Sequence, residues 1–288
     1  MKHLLGTMGL IAVLLCGAAC APVSPSPTVH RPPYGENPER GRFVEVHGTR
    51  LYVEDYGAGQ AVLQIHGHDA NIASLSRQLD ALIPHYRVIA ADSRGQGRSE
   101  KGSEPLSYER MADDFNDLLE HLKLSQVYVF GFSDGGIVGL LLAIRYPDKV
   151  AKLAIAGAAL NPGGAKDWAM PWVTAERERA RHMIERGDTS RDWQQAIVLL
   201  DLLMTQPNIE AAQLGRIAAP TLVMAGDNDI IRLEHTIDIQ RHIARSQLAI
   251  FPGTTHFVPW EQPEVFNAVL LRFFGREFQR PDTRDFLK

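Results

Sequence analysis

From Phe43 onward, short apolar runs of strand length alternate with segments whose apolar residues recur every three or four positions. Phe43 to Val46 and Leu51 to Tyr56 read as a hairpin turning around His47-Gly48. Ala61 to Ile65, Arg87 to Ala91, Val127 to Phe130, Ala151 to Ala156, Thr221 to Ala225 and Gln247 to Phe251 are short buried strands. Between them, Ser107 is placed to cap a helix that lines up Met111, Phe115, Leu118, Leu119 and Leu122 on one face. A second helix opens just after Ser133 and carries Ile137, Leu140, Leu141 and Ile144. Strands alternating with helices require crossover connections, hence a mostly parallel sheet with helices on both faces. Reactive groups in such sheets gather at the carboxyl ends of the strands.

The alternation stops between about Ala158 and Gly215. Here the pattern predicts helices over Thr174 to Arg186 and Ser190 to Met204 and no strand, so residues 158–215 read as a small helical cap inserted late in the sheet. Trp168, Trp172 and Trp193 lie in this stretch. Tryptophans of a cap either line an apolar pocket or anchor its helices to the core, and the second use is the commoner. None is taken as a site residue. The sheet-forming parts, 42–157 and 216–276, make one core, and 277–288 is a tail.

Composition narrows the function by exclusion. The formal charge of −4 has no concentrated basic face, which argues against a nucleic-acid partner. Both cysteines, Cys16 and Cys20, precede the folded part, leaving it without an internal disulfide, a thiolate metal site or a cysteine nucleophile. Lys2, the apolar stretch from Leu4 to Leu15 and the small residues Gly17-Ala18-Ala19 before Cys20 resemble the signal peptide of a bacterial lipoprotein, 1–20. That resemblance implies export with lipidation at Cys20, and Ala21 after it implies sorting to the outer membrane, facing the periplasm; Gly17 stands where such motifs prefer an aliphatic residue. An ordinary secretory signal is the alternative. The Pro/Ser-rich stretch 21–41 reads as a disordered tether.

Three sites carry chemistry. Gly131-Phe132-Ser133-Asp134-Gly135 has the form G-x-S-x-G, directly after one strand and opening a helix, as a nucleophile elbow requires. A serine hydroxyl needs a base, and His256 lies just past the last strand. The base needs an acid to orient it, and Gly226-Asp227-Asn228-Asp229 follows another strand; the residues alone allow either aspartate.

Together with His66-Gly67 and Asp92-Ser93-Arg94-Gly95-Gln96-Gly97-Arg98-Ser99, these blocks resemble the α/β-hydrolase superfamily from about Phe43 to Phe274. The resemblance implies the α/β-hydrolase fold, an α/β class, and a triad of Ser133, Asp229 and His256, with Asp229 chosen as the fourth residue of G-x-x-D. It implies an oxyanion hole from the backbone N–H groups of His68 and Asp134. His66 is expected to be structural, and Asp92, Arg94 and Ser99 to brace a turn. A serine nucleophile disfavours the dehalogenase and epoxide-hydrolase branches. The expected function is cleavage of a small or medium apolar carboxylic ester through an acyl-enzyme, with no metal or organic cofactor. A C–C bond hydrolase of ring-fission diketones is the alternative, followed by lactonase, peptidase or perhydrolase activity, and by a non-catalytic ligand-binding member of the fold.

Overall fold

The computed structural model describes residues 33–287. The expected signal peptide, the lipidation site Cys20 and most of the tether lie outside them. In chain order the elements are β1 (Gly41–Val46), β2 (Thr49–Tyr56), β3 (Ala61–Ile65), α1 (Ser76–Leu82), β4 (Arg87–Ala91) and α2 (Tyr108–His121). They continue with β5 (Val127–Phe132), α3 (Asp134–Arg145), β6 (Val150–Ala156), α4 (Ala169–Glu185) and α5 (Trp193–Thr205). The last are β7 (Thr221–Gly226), α6 (Leu233–His242), β8 (Ser246–Phe251), α7 (Val258–Glu261) and α8 (Pro263–Gly275).

One eight-stranded sheet runs in the order β1-β2-β4-β3-β5-β6-β7-β8. β2 pairs antiparallel with β1 and β4, and every other pairing is parallel. Apolar clusters lie on both faces. One gathers α2 and α3 through Met111, Phe115, Leu118 and Leu140; the other gathers α1 and α8 through Leu79, Phe266 and Leu270. Burying each such side chain removes apolar surface worth about 1.5–3 kcal/mol. α2 begins as its sequence demands, with the Ser107 side chain accepting from the Arg110 N–H.

The tether reading over 21–41 needs correction at its end. Tyr34 is buried and packs edge-on against Tyr56 at 5.2 Å, and the N–H groups of Gly35 and Asn37 donate to the Glu54 carboxylate at 2.9 and 2.8 Å. Glu54 is fully buried and also accepts from the Tyr52 and Tyr56 hydroxyls. A buried carboxylate needs donors, and this one recruits part of the supposed spacer.

The block after β4 forms a second buried polar unit. Arg94 grips Asp114 of α2 through Nε at 2.7 Å and Nη2 at 2.6 Å, both side chains being sealed from solvent. Removing one partner strands the other charge, which costs about 3–5 kcal/mol. Arg94→Met is expected to lower unfolding free energy by that amount in urea titrations, and Asp114→Leu added on top is expected to recover most of it.

The two outer strands are both guarded. On β1 the exposed Phe43 ring lies under the Arg50 guanidinium at 5.0 Å. Beside β8, the Gln247 amide donates to the Gln279 carbonyl at 2.6 Å, and Arg245 sits over Phe278 at 5.3 Å.

Candidate active site

Ser133 sits where β5 turns into α3, with φ 54° and ψ −117°. A non-glycine residue in this region is strained by about 1–3 kcal/mol, and the turn tolerates nothing larger than glycine two positions before and two positions after the serine. A Cβ at Gly131 would stand 2.1 Å from the Gly135 carbonyl oxygen, and one at Gly135 would stand 2.2 Å from that of Ile65.

The loop after β8 brings His256 to this serine. Its Nε2 lies 3.0 Å from Ser133 Oγ, and its Nδ1 lies 2.7 Å from Asp229 Oδ1. A carboxylate only accepts, so Nδ1 carries the hydrogen and Nε2 presents its lone pair to the serine hydroxyl. Asp229 is buried, and the same Oδ1 accepts from the Ile231 N–H at 3.0 Å. Asp227 does something else: it accepts from the N–H groups of Gly253 and Thr254 at 2.9 and 3.2 Å. It thereby braces the turn that leads to His256. Of the two aspartates open on residue grounds, only Asp229 meets the histidine.

His68 and Asp134 flank the serine from β3 and α3. A Cβ at Gly67, next to His68, would come within 3.3 Å of Ser133 Cβ, so this loop passes close over Ser133. The His68 side chain turns to Asp134, Nδ1 to Oδ2 at 3.3 Å. Burial alone would lower the His68 pKa, but the Asp134 hydrogen bond and charge outweigh it and raise it. His66 is buried; its Nδ1 donates to the Gly67 carbonyl at 2.7 Å and its Nε2 accepts from the Ser93 N–H at 2.9 Å. Asp92 accepts from the Ile72 and Arg98 N–H groups at 2.8 and 2.7 Å, and Ser99 Oγ donates to the Asp92 carbonyl at 2.6 Å. These residues hold the loops beneath the site.

The burial of His66 has a measurable consequence. It holds the imidazole pKa down at about 4, against an ordinary 6.5. The unfolded chain therefore binds a proton that the folded one rejects. This contribution is complete above about pH 6.5 and is lost as pH falls through about 4, some 3 kcal/mol in all. Asp92 opposes it: burial pushes its carboxyl up to about 6, so its contribution is present below about pH 4 and lost as pH rises through 6. His66→Gln is expected to narrow its stability deficit to the parent steadily between pH 7 and pH 4.5. A deficit that stays constant across urea titrations in that range would contradict this assignment.

Above the serine lies a cavity of about 810 Å³, roofed by the cap and lined mainly by apolar side chains, among them Ile137, Trp168, Trp172, Ile231, Phe257 and Trp260. Trp168 and Trp172 are half exposed and face this space, so the reading of them as cap anchors is corrected. They lie one helical turn apart at the start of α4, a spacing that puts two large rings on one face. Trp193 lines no part of the cavity; its Nε1 donates to Asp188 at 2.7 Å. Among the described residues no cluster of His, Cys, Asp or Glu is arranged to hold a metal.

Residues 60–203 match a family described as the alpha/beta hydrolase fold. The chain belongs to this family. A relative, a putative non-heme chloroperoxidase from Synechocystis, is 29% identical over 77% of this chain and 94% of its own length. A 2-hydroxy-6-oxononadienedioate/2-hydroxy-6-oxononatrienedioate hydrolase from Klebsiella pneumoniae is 26% identical over 82% of this chain and 96% of its own. The crystal structure of an esterase from Exiguobacterium antarcticum, 27% identical, superposes with a TM-score of 0.72 over 82% of this chain and 100% of that one. The α/β-hydrolase fold expected from the sequence is thus the fold the chain adopts, and its relatives include hydrolases of several bond types.

Proposed function

We propose that the protein is a serine hydrolase that cleaves a small or medium apolar carboxylic ester through an acyl-enzyme. The observation that carries this reading is the relay Ser133 Oγ–His256 Nε2 at 3.0 Å and His256 Nδ1–Asp229 Oδ1 at 2.7 Å, set at the floor of an apolar cavity. Ser133 Oγ attacks the ester carbonyl while His256 Nε2 takes its proton, and Asp229 stabilises the resulting imidazolium. The tetrahedral oxyanion rests on the backbone N–H groups of His68 and Asp134; each such donor typically contributes about 3 kcal/mol in the transition state. His256 then hands the proton to the departing alcohol, leaving the acyl group on Ser133. Water attacks this acyl carbon, His256 accepts its proton, and the carboxylic acid leaves as Ser133 is reprotonated.

The second reading, hydrolysis of a C–C bond in a ring-fission diketone, is supported by the likeness to the Klebsiella pneumoniae hydrolase. The same relay serves both. The test is hydrolysis of p-nitrophenyl esters of increasing acyl length. Each added methylene is expected to raise kcat/KM by about fourfold until the cavity is filled, after which it falls. A folded protein that turns over no ester of the series but does cleave a ring-fission diketone would replace the first reading by the second.

A further inference from the structure

We propose that Lys166 is a specificity-determining residue that selects esters bearing a carboxylate; this rests on the esterase reading and names its substrate class. Lys166 lies in the cap segment between β6 and α4 and borders the cavity above Ser133. Its ammonium is held by the Asn228 side-chain oxygen at 2.8 Å, a neutral partner. No carboxylate of the described residues comes within 4.0 Å of it. Asp167, its neighbour in sequence, is fully exposed and leans instead on Arg232 at 3.8 Å.

The position of this charge is built rather than incidental. The Lys166 N–H donates to the Ile230 carbonyl at 2.8 Å, and Ala165 bridges to Ile231, so the backbone on either side is pinned to the loop that carries Asp229. Arg232 adds to the clamp by donating to the Ala165 carbonyl at 2.7 Å. The backbone that carries Lys166 is therefore anchored to the same segment that holds Asp229, and the side chain is fixed at its end by Asn228.

The other charges of the cavity do not answer this one. Asp134 is buried at the floor and already engages His68. The rest of the lining is largely apolar. A cation without a counter-ion at the rim of an apolar cavity attracts an anion, and water-poor walls strengthen that attraction. The ligand chemistry that satisfies both features is an apolar ester with one carboxylate remote from the scissile bond. The carboxylate takes the open hydrogen-bonding positions of the ammonium, and the apolar part fills the cavity.

The experiment compares p-nitrophenyl esters of a dicarboxylic acid half-ester with the matched neutral acyl chain. In a second pair, 4-acyloxybenzoate is compared with the corresponding phenyl ester, which moves the carboxylate to the alcohol side. At low ionic strength the parent protein is expected to favour the anionic member of at least one pair by about tenfold in kcat/KM, mostly through KM. That advantage is expected to shrink as salt rises, to vanish in Lys166→Met, and to persist in Lys166→Arg. An unchanged midpoint of thermal unfolding shows that Lys166→Met folds, and the readout is the ratio of anionic to neutral kcat/KM within each variant, whatever its absolute rate on the neutral ester. Neutral and anionic esters hydrolysed alike in both pairs, or a preference that survives Lys166→Met, would overturn the proposal while leaving the esterase reading standing. Absence of turnover on every ester would overturn both.

Discussion

Ser133→Ala is expected to lower ester turnover by about 10⁴–10⁶-fold while leaving the folded structure unchanged. In the proposed mechanism the Ser133 hydroxyl forms the acyl bond, and its loss leaves only binding and the oxyanion donors. Alanine keeps the φ of 54° and its strain, so the midpoint of thermal unfolding should not move appreciably. Ser133→Gly separates the two roles of this position. Glycine relieves the turn of about 1–3 kcal/mol of strain and returns about 0.5–1 kcal/mol as added freedom of the unfolded chain. The glycine variant should therefore be as inactive as the alanine variant, and more stable than both that variant and the parent. Residual turnover within tenfold of the parent, in Ser133→Ala freshly purified and checked by mass, would remove Ser133 as nucleophile.

The second large effect separates two aspartates only two residues apart. Asp229→Ala is expected to cost about 10⁴-fold in kcat, because His256 loses both its orientation and the charge that balances its protonated form. Asp229→Asn should be milder, about 10²–10³-fold. The Ile231 N–H at 3.0 Å fixes an acceptor oxygen at the position facing His256, so the amide oxygen takes that place and its NH₂ goes to the other, buried corner. The histidine then keeps its tautomer and loses only the carboxylate charge. Asp227→Asn removes one acceptor from the turn at Gly253 and Thr254 and should change kcat by less than tenfold. Equal losses at both positions, measured as kcat on one neutral ester, would mean that the histidine loop tolerates either acid.

The sheet was readable almost to the residue because its strands are buried on both faces. Ala61–Ile65, interrupted only by Gln64, and the apolar run from Val88 to Ala91 are ended by His66 and Asp92, which leaves the pattern little choice. Ser133, Asp229 and His256 stood out for a related reason: each follows a strand at its carboxyl end. What the pattern missed depends on contacts distant in sequence. Gly35 and Asn37 are held in place because Glu54, buried in β2, needs donors; nothing near residue 35 records that need. α4 begins at Ala169, five residues before the expected start, because Pro171 fits within the first turn of a helix, where its missing N–H has no partner to lose. The orientation of Trp168 and Trp172 depends on where the cap lies over the core, a three-dimensional fact with only their four-residue spacing as a trace. The His68 side chain turns to the buried Asp134, 66 positions away, a contact that nothing near residue 68 records.

The guarded outer strands bear on how this protein behaves at high concentration. A sheet rim with free backbone donors and acceptors is a template on which other molecules can stack, and chains that end in such a rim tend to precipitate or form fibres. Here one rim carries a ring under a guanidinium, and the other lies beside the segment from Gln279 to Arg280 after the last helix. That final stretch reaches no part of the reacting site. Shortening the chain after Gly275 is therefore expected to lower solubility, read by light scattering at rising concentration, before it lowers turnover.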